Sequence, residues 1–467
     1  MRVLLRSKAP TTVLGRSVLV LHREYLHSHD VASPNMCLRP FVWLGEIDYN
    51  RAAVWGVSLP TVEQSMGPLL ITAGRVYDGV AERPLEHAYV AVEGDAITAV
   101  GRQAELAGSA GHFAQVIDLG AEATVLPGLI NMHTHMSFSA GESIFDDHQR
   151  ESYETKLIRA VENVQATLRT GVTTVRDCGT LNGIAFAVRA AVESRLMLGP
   201  RVIASGAGIT TTGGHLWFCG VEADSAEEVR RAVRTQVKAG ADFIKVFATG
   251  GGSTPGSNAC AAQYSEAELC ALTEEARRLD KRVAAHVHGT PGVLTSIAAR
   301  VTTIEHCSFL HPSGIQYEPE QGRRIADAGI YVCPTLFRGW GKLLAQNPDQ
   351  PWAAAHLKGQ AERFDLVRRL VDAGVRLVSG SDAGVNFNEF TDYPGDLIFA
   401  VEGTDLSPVY VLKSATSVAS EALGRSDLGV IAPGKVADLL AVQGNPLHDI
   451  HALNTPRLVV SRGRVVV

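Results

Sequence analysis

Residues 126–135 read Leu-Pro-Gly-Leu-Ile-Asn-Met-His-Thr-His, an apolar segment that ends in two histidines. In an extended strand, residues two apart point to the same side, so His133 and His135 can bind one metal ion together. A His-x-His pair alone is also typical of histidines in a core or on a surface. The apolar Pro-Gly strand that leads into this pair favours the metal interpretation.

Seven more apolar segments follow, separated by stretches with helical periodicity. The eight candidate strands are residues 125–131, 173–176, 202–204, 243–246, 283–286, 303–306, 330–333 and 376–379. Alternation of strands and helices over this length predicts an α/β fold, a (β/α)8 TIM barrel. Such a barrel gathers the carboxyl ends of its strands around one mouth, where catalytic residues lie.

Two of the predicted helices carry end signals. Ser225 with Glu228, and Ser265 with Glu268, have the spacing of a capping box at a helix N-terminus. Gly240 is the predicted stop of the first helix. Helical and strand patterns therefore both fit the barrel.

Short β-type segments occupy both ends of the patterned region, with glycines between them as turns. We predict that residues 68–124 and 425–467 form one small β-sandwich domain built from both ends of the chain. The barrel then covers residues 125–424. Residues 1–67 lack a sustained pattern and are predicted to be a disordered extension.

Composition narrows the class of protein. The 467 residues are 46% hydrophobic and 20% charged, with a net charge of -6. That charge gives no reason to expect binding to nucleic acid or to an anionic membrane. Seven cysteines, an odd number with no Cys-x-x-Cys, indicate reduced thiols and a cytoplasmic protein.

Lys245 lies inside the apolar segment 243–247. A lysine there can be a buried member of an ion pair, which is uncommon because an ammonium group is costly to remove from water. The functional interpretation is an unprotonated amine that reacts with carbon dioxide. The resulting carbamate has two oxygens and can bridge two metal ions.

His286, His306 and Asp382 end the fifth, sixth and eighth candidate strands. Imidazole suits zinc and neighbouring first-row metals. Each residue is unremarkable alone, since a strand-end aspartate is more often a helix cap. Their ordered recurrence at strand ends is what predicts a metal-dependent hydrolase.

These segments resemble the amidohydrolase superfamily, in its binuclear type with a carboxylated lysine. The resemblance covers residues 68–467 and is most similar to the branch with imidazolonepropionase-like proteins, prolidases and ochratoxin-type amidases. The segments that carry it are residues 126–135, 243–250, 283–289, 303–306, 379–384 and 429–439.

The resemblance implies a ligand set and two divalent metal ions, for which zinc is the expected element. One ion would be bound by His133, His135 and Asp382 and the other by His286 and His306, with a CO2-derived carbamate on Lys245 between them.

The resemblance also implies catalytic and substrate-binding residues. Asp382 would shuttle a proton, and His288 and Tyr264 would lie near the scissile group and the substrate. His215, in a glycine-rich loop, would contact substrate. For Tyr264 and His215, packing or loop structure is an equally good explanation. The bulky residues 216–218 depart from the pattern of the relatives, which leaves the shape of the pocket open.

The predicted function is hydrolysis of an amide-type carbon–nitrogen bond by metal-activated hydroxide, as in an N-acyl amino acid or a dipeptide. Alternatives are a cyclic amide hydrolase acting on an imidazolone or hydantoin, a lactonase or phosphotriesterase, a mononuclear deaminase, and a non-catalytic binding protein. The expected partner is a small-molecule substrate, with no nucleic acid or membrane. Self-association is left open.

Overall fold

Strands and helices alternate along the computed structural model, which describes residues 67–106, 112–339, 341, 344 and 351–466. The architecture is a TIM-barrel-like α/β fold, as the alternation of segments predicts. The extension predicted over residues 1–67 lies, apart from Gly67, outside the described residues.

The strands are β1 (Leu69–Val76), β2 (Leu85–Glu93), β3 (Ala96–Arg102), β4 (Gln115–Asp118), β5 (Ala123–Pro127), β6 (Leu129–Thr134), β7 (Val172–Asp177), β8 (Arg201–Ala204), β9 (Ile209–Thr210), β10 (Val221–Glu222), β11 (Ile244–Phe247), β12 (Val283–Gly289), β13 (Thr303–His311), β14 (Gly314–Ile315), β15 (Tyr331–Cys333), β16 (Arg376–Leu377), β17 (Leu439–Gln443), β18 (Pro456–Ser461) and β19 (Arg464–Val465).

The α-helices are α1 (Ile144–Arg150), α2 (Tyr153–Arg169), α3 (Ile184–Glu193), α4 (Ala226–Ala239), α5 (Glu266–Arg278), α6 (Thr290–Ala298), α7 (Pro319–Asp327), α8 (Pro351–Asp372), α9 (Tyr393–Thr404), α10 (Pro408–Ser414) and α11 (Ser417–Leu423). Both predicted capping boxes are present, at the N-termini of α4 and α5. Gly240 ends α4 in the left-handed conformation, with φ of 104°. None of the helices that the structure describes is both long and apolar enough to cross a membrane.

One eight-stranded sheet contains strands from both ends of the described chain. Its order is β19-β18-β17-β5-β1-β2-β3, with β4 beside β1. Strand β17 runs antiparallel to β5 along its whole length, from Leu439 opposite Pro127 to Gln443 opposite Ala123. The last strands of the chain therefore hold β5 in place.

The parallel strands form two more sheets, β6-β7-β8 and β10-β9-β11-β12-β13-β15-β16, with β14 on β13. A backbone hydrogen bond of 2.8 Å from Asp242 to Ala204 connects the start of β11 with the end of β8. Backbone bonds from Met132 to Ser379 (3.0 Å) and from Asp382 to His133 (2.9 Å) connect β6 with the segment after β16. These contacts bring the carboxyl ends of β6, β11, β12 and β13 to one region.

The first predicted strand, residues 125–131, is two strands in the structure. β5 ends at Pro127 in the terminal sheet, and β6 begins at Leu129 in a parallel sheet. Gly128 lies between them, where a Cβ atom would be 2.2 Å from Thr173 Oγ1. A glycine is required because the chain changes sheets against the side chain of a neighbouring strand. The other seven predicted strands overlap observed ones.

Gly380 lies in the segment after β16, close against β6. A Cβ atom there would be 2.7 Å from His133 N and 2.8 Å from His133 Cβ. We expect Gly380→Ala to push the two segments apart and lower the free energy of unfolding by about 1–3 kcal/mol, as overpacking does. Denaturant unfolding measures this.

Gly359→Ala is the matched control, because a Cβ atom on this glycine of α8 meets open space. We expect its stability to be unchanged or slightly raised, since alanine favours a helix. Equal stability of the Gly380→Ala variant and the wild type would show that the close approach at Gly380 is unimportant.

Candidate metal centre

The structure brings the six predicted ligand residues together at the carboxyl ends of the parallel strands. Asp382 Oδ1 is 3.3 Å from both His133 Nε2 and His135 Nε2. His133 Nε2 is also 3.3 Å from Lys245 Nζ. On the other side, His306 Nε2 is 2.8 Å from His286 Nδ1. The His133 and His306 rings, 5.2 Å apart, connect the two halves.

In the first half, the Nδ1–H group of each histidine donates a hydrogen bond to a backbone or carboxylate oxygen. His133 Nδ1 is 2.8 Å from Glu305 Oε2, and His135 Nδ1 is 3.0 Å from Gly179 O. Both oxygens accept, so the Nδ1 atoms must donate, which assigns the tautomers from the network. Because burial keeps the His133 ring neutral, its Nε2 lone pair faces the carboxylate of Asp382, and His135 turns its Nε2 toward the same carboxylate.

In the second half, the hydrogen bonds leave Nδ1 of His286 and Nε2 of His306 without a proton. His286 Nε2 donates to Gly250 O at 3.2 Å, so its Nδ1 is unprotonated. Thr335 Oγ1 donates to Pro334 O and therefore accepts from His306 Nδ1 at 2.7 Å, which leaves His306 Nε2 unprotonated. Two lone pairs thus face each other across 2.8 Å.

The charge states agree with this arrangement. Burial lowers the pKa of His133 to about 4 and holds the pKa of His286 and His306 well below the usual value, so all three rings are neutral at pH 7. Burial would raise the pKa of Asp382, but the histidines beside it hold that pKa below its usual range. Its Oδ1 is buried without a hydrogen-bond partner among the described residues.

Unprotonated acceptor atoms of His133, His286, His306 and Asp382 therefore face one another, an arrangement that repels unless a cation lies between them. Nitrogen and carboxylate oxygen in this combination are the donors that zinc and related divalent ions prefer. His286, His288 and His306 form one group with ligand spacing, and His133, His306 and Asp382 form another. The residues present fit divalent metal.

The sequence did not single out a buried ion pair that supports the site. Arg176 Nη2 donates to Glu305 Oε1 at 2.6 Å, and Arg176 Nε donates to Met132 O at 2.6 Å. Burial would raise the pKa of Glu305, but the Arg176 charge and the His133 hydrogen bond hold it well below its usual range. The sequence feature that could have indicated this ion pair is the occurrence of opposite charges, Arg176 and Glu305, within apolar strand segments.

Two of the clustered residues have strained backbones. His306 has φ of 66° and Asp382 has φ of 63°, in the left-handed region that costs a non-glycine residue about 1–2 kcal/mol. Such strain persists where the surrounding structure fixes it, and it is concentrated at functional sites. Here it turns the side chains toward the cluster.

A cavity of about 830 Å3 opens in front of the cluster. His135, His286, His306 and Asp382 lie in its wall together with Arg363 of α8. A volume of this size holds a substrate of drug-like dimensions.

His288 and His215, predicted to face substrate, both line the cavity. His288 stacks on His306 at 4.5 Å, and its Nδ1 is 2.9 Å from Ser308 Oγ. His215 lies 4.4 Å from the His286 ring, with its Nδ1 3.0 Å from Thr254 Oγ1.

Tyr264 is not brought to this site. It is 2% exposed and packs in the core between strands and helices. Its hydroxyl donates to Ala223 O at 2.9 Å, and burial raises its pKa. The hydroxyl is bound within the fold, so we withdraw the predicted catalytic and substrate-binding roles of Tyr264.

Comparison with known proteins agrees with the geometry. The family model described as "Amidohydrolase family" matches residues 124–466. Ochratoxinase of Aspergillus niger is 28% identical over 433 residues, which cover 84% of each chain. Imidazolonepropionase of Streptomyces coelicolor is 24% identical over 80% of this chain and 90% of its own. A solved Xaa-Pro dipeptidase with methionine bound in its active site is similar with a TM-score of 0.75, at 29% identity over 85% of this chain and 99% of that one.

Glu305 orients His133, so we expect Glu305→Gln to weaken metal binding about 10–100-fold, as changes behind a metal ligand do. Chelator competition measures the affinity. The variant also leaves the buried Arg176 charge without its carboxylate partner, which lowers the free energy of unfolding. The double variant Arg176→Met/Glu305→Gln removes that charge, so we expect its Tm to recover while its metal affinity stays low.

Glu275→Gln is the matched control. Glu275 is 3% exposed and pairs with Arg234 and Arg278 on helices α4 and α5, away from the cluster. Metal affinity equal to wild type in both Glu305→Gln and this control would rule out the orienting role.

Proposed function

The chain belongs to the amidohydrolase family and is a hydrolase of carbon–nitrogen bonds, and on that premise we propose that it cleaves the amide bond of an N-acyl amino acid or a dipeptide. The observation that carries the proposal is the set of unprotonated nitrogen and oxygen atoms facing one another at the wall of a large cavity. The similarity to ochratoxinase and to a Xaa-Pro dipeptidase supports an amide as the bond that is cleaved.

We propose two divalent metal ions, with zinc as the element. One would be held by His133, His135 and Asp382 and the other by His286 and His306. When bound, such ions lower the pKa of water toward neutrality and polarise a carbonyl group.

Lys245 is the proposed bridge, as a carbamate formed from its amine and CO2 with loss of a proton. It is 1% exposed. In the described part of the chain, no carboxylate oxygen lies within 4.0 Å of its Nζ, so a cationic lysine would be buried beside neutral histidines without an ion pair. An anionic carbamate removes that cost and adds two oxygen donors.

Asp382 is the proposed proton shuttle. Its side chain is 13% exposed and lies in the cavity wall, so its carboxylate can take a proton from the attacking water. It then passes that proton to the leaving nitrogen, because an amine departs readily only when protonated. The products are a carboxylic acid and an amine.

His288 is the proposed donor to the oxygen of the scissile carbonyl. Ser308 Oγ accepts from Arg363 Nη1, and we propose that it donates its own proton to His288 Nδ1 at 2.9 Å. Burial, followed by the Arg363 charge, lowers the pKa of His288 to about 3. The ring is therefore neutral with its proton on Nε2, and that N–H stabilises the negative charge of the tetrahedral intermediate. His215, on the same cavity, is proposed to contact substrate.

We also propose that the parallel strands close into a complete barrel over residues 125–424 and that residues 68–124 and 425–467 form a β-sandwich. The bonds between β6 and the segment after β16 support closure. Strand β1 pairs with β4 at Leu69–Thr72 and with β5 at Arg75–Val76. Because β1 changes partner along its length, the sheet can divide into the two layers of a sandwich.

A cytoplasmic location remains our proposal. The six cysteines in the described ranges, Cys178, Cys219, Cys260, Cys270, Cys307 and Cys333, are free thiols, which supports a reducing compartment.

A substrate panel tests the function. The zinc-loaded protein is assayed with dipeptides, N-acyl amino acids, a hydantoin, an imidazolone, a lactone and a phosphotriester. We expect the linear amides to have the highest kcat/KM. Preference for the cyclic amides, or for the lactone or phosphotriester, would replace the proposal with that activity, and no hydrolysis at all would favour a binding protein.

Asp382→Asn keeps the size of the side chain and removes its basicity. We expect kcat to fall by about 10^2–10^4, the range for loss of a general acid or base, while much of the metal stays bound. Activity and metal content are measured on the same sample. A kcat/KM equal to wild type would exclude the shuttle.

Lys245→Ala should lose metal because no bridge can form, and a short carboxylate such as acetate should restore part of the metal and of the activity. Lys156→Ala is the control, since Lys156 is also buried but donates to Glu151 O, outside the cluster. Full metal content in Lys245→Ala without added acetate would refute the bridge.

A further inference from the structure

Arg363 is a cation in the cavity wall that has no carboxylate partner in the described part of the chain. It lies on α8, and no Asp or Glu oxygen of the residues described is within 4.0 Å of its guanidinium. Glu362, its neighbour, is 3.7 Å from Lys358 instead. Burial lowers the pKa of Arg363 to about 10, so it stays charged at neutral pH.

The guanidinium has donors left over. Its Nη1 donates to Ser308 Oγ, and its Nη2 donates to His306 O at 2.7 Å and to Pro334 O. These three bonds leave two of the five N–H groups unused. Its Nε has no described partner and is not among the fully buried unpaired atoms, and the residue lies in the cavity wall.

We infer that Arg363 binds the α-carboxylate of the substrate, so that the enzyme selects acylated amino acids and peptides whose free carboxylate adjoins the scissile amide. The inference rests on the proposed amide hydrolysis and names the residue that sets its specificity. The unused Nε–H can donate one charge-assisted hydrogen bond to that carboxylate, and the positive charge of the guanidinium attracts it.

The position of Arg363 fixes which carboxylate it can bind. Ser308 alone separates it from His288, whose ring stacks on His306 at 4.5 Å. In an N-acyl amino acid, the carboxylate carbon is three bonds from the amide carbonyl carbon. A carboxylate at this separation can reach Arg363 while the amide lies beside His288.

The test compares acids with their neutral amides. The probes are N-acetyl-L-methionine and N-acetyl-L-phenylalanine, each with its carboxamide, and acetate release is followed with the metal-loaded protein. We expect wild type to prefer the acids, and Arg363→Met to reduce the acid-to-carboxamide ratio of kcat/KM about 100-fold, the effect of losing a buried charged partner. Arg363→Lys keeps the charge but removes the Nε–H donor, so we expect an intermediate ratio.

A control variant separates this role from a general effect of the substitution. Arg368→Met makes the same change on α8, where the side chain pairs with Asp365 and Asp405, and we expect the wild-type ratio.

Arg363 also donates hydrogen bonds to the backbone oxygens of His306, in β13, and Pro334, just after β15. The Arg363→Met variant can therefore be less stable than wild type. Wild-type protein supplies a test that needs no variant: calorimetric titration should show free L-methionine binding more tightly than L-methioninamide. Equal hydrolysis of acid and carboxamide by wild type, or an unchanged ratio in both Arg363 variants, overturns the carboxylate site but leaves amide hydrolysis standing. If wild type cleaves no amide, both proposals fail.

Discussion

The structure depends on keeping several lone pairs pointed at one another. His286 Nδ1 and His306 Nε2 are 2.8 Å apart with no proton between them, and Asp382 Oδ1 is 3.3 Å from His133 Nε2 and from His135 Nε2. This arrangement is repulsive in the absence of a cation. Its cost is met by the hydrogen bonds that hold the far side of each ring, so the acceptors behind the histidines matter as much as the histidines.

Those acceptors come from different places in the fold. Gly179 O and Gly250 O are backbone groups of loops, Thr335 supplies a hydroxyl, and Glu305 supplies a carboxylate neutralised by Arg176. Each ring is therefore oriented by a strand or loop other than its own. The mouth of parallel strands suits this purpose because neighbouring strand ends are within one side chain of each other.

The sequence predicted the repeating elements well because their signals are local. Hydrophobic segments, capping boxes and glycine stops depend on near neighbours, and the capping residues Ser225 and Ser265 act as their spacing predicts. The convergence of six residues also followed from their positions at strand ends. The change of sheet at Gly128 was missed, since only Thr173 and Asp438, distant in sequence, reveal it.

Side-chain direction was the harder problem. Tyr264 was expected near substrate, but its hydroxyl reaches Ala223 because tertiary packing decides where a ring points. Arg363 gave no sequence signal, since an arginine in a helix is ordinary, and only the cavity makes its charge unusual. The roles of Glu305 and Arg176 were hidden for the same reason, because charges in separate strands become a pair only after folding.

A single residue, Gly128, separates the terminal sheet from the strand that carries His133. Its backbone N–H donates to Asp438 O at 2.8 Å, and β5 on its other side pairs along its length with β17. During synthesis, β17 emerges from the ribosome more than 300 residues after β5. The parallel strands are thus all synthesised before β17 is available to pair with β5, so the pairing that anchors the start of β6 forms late.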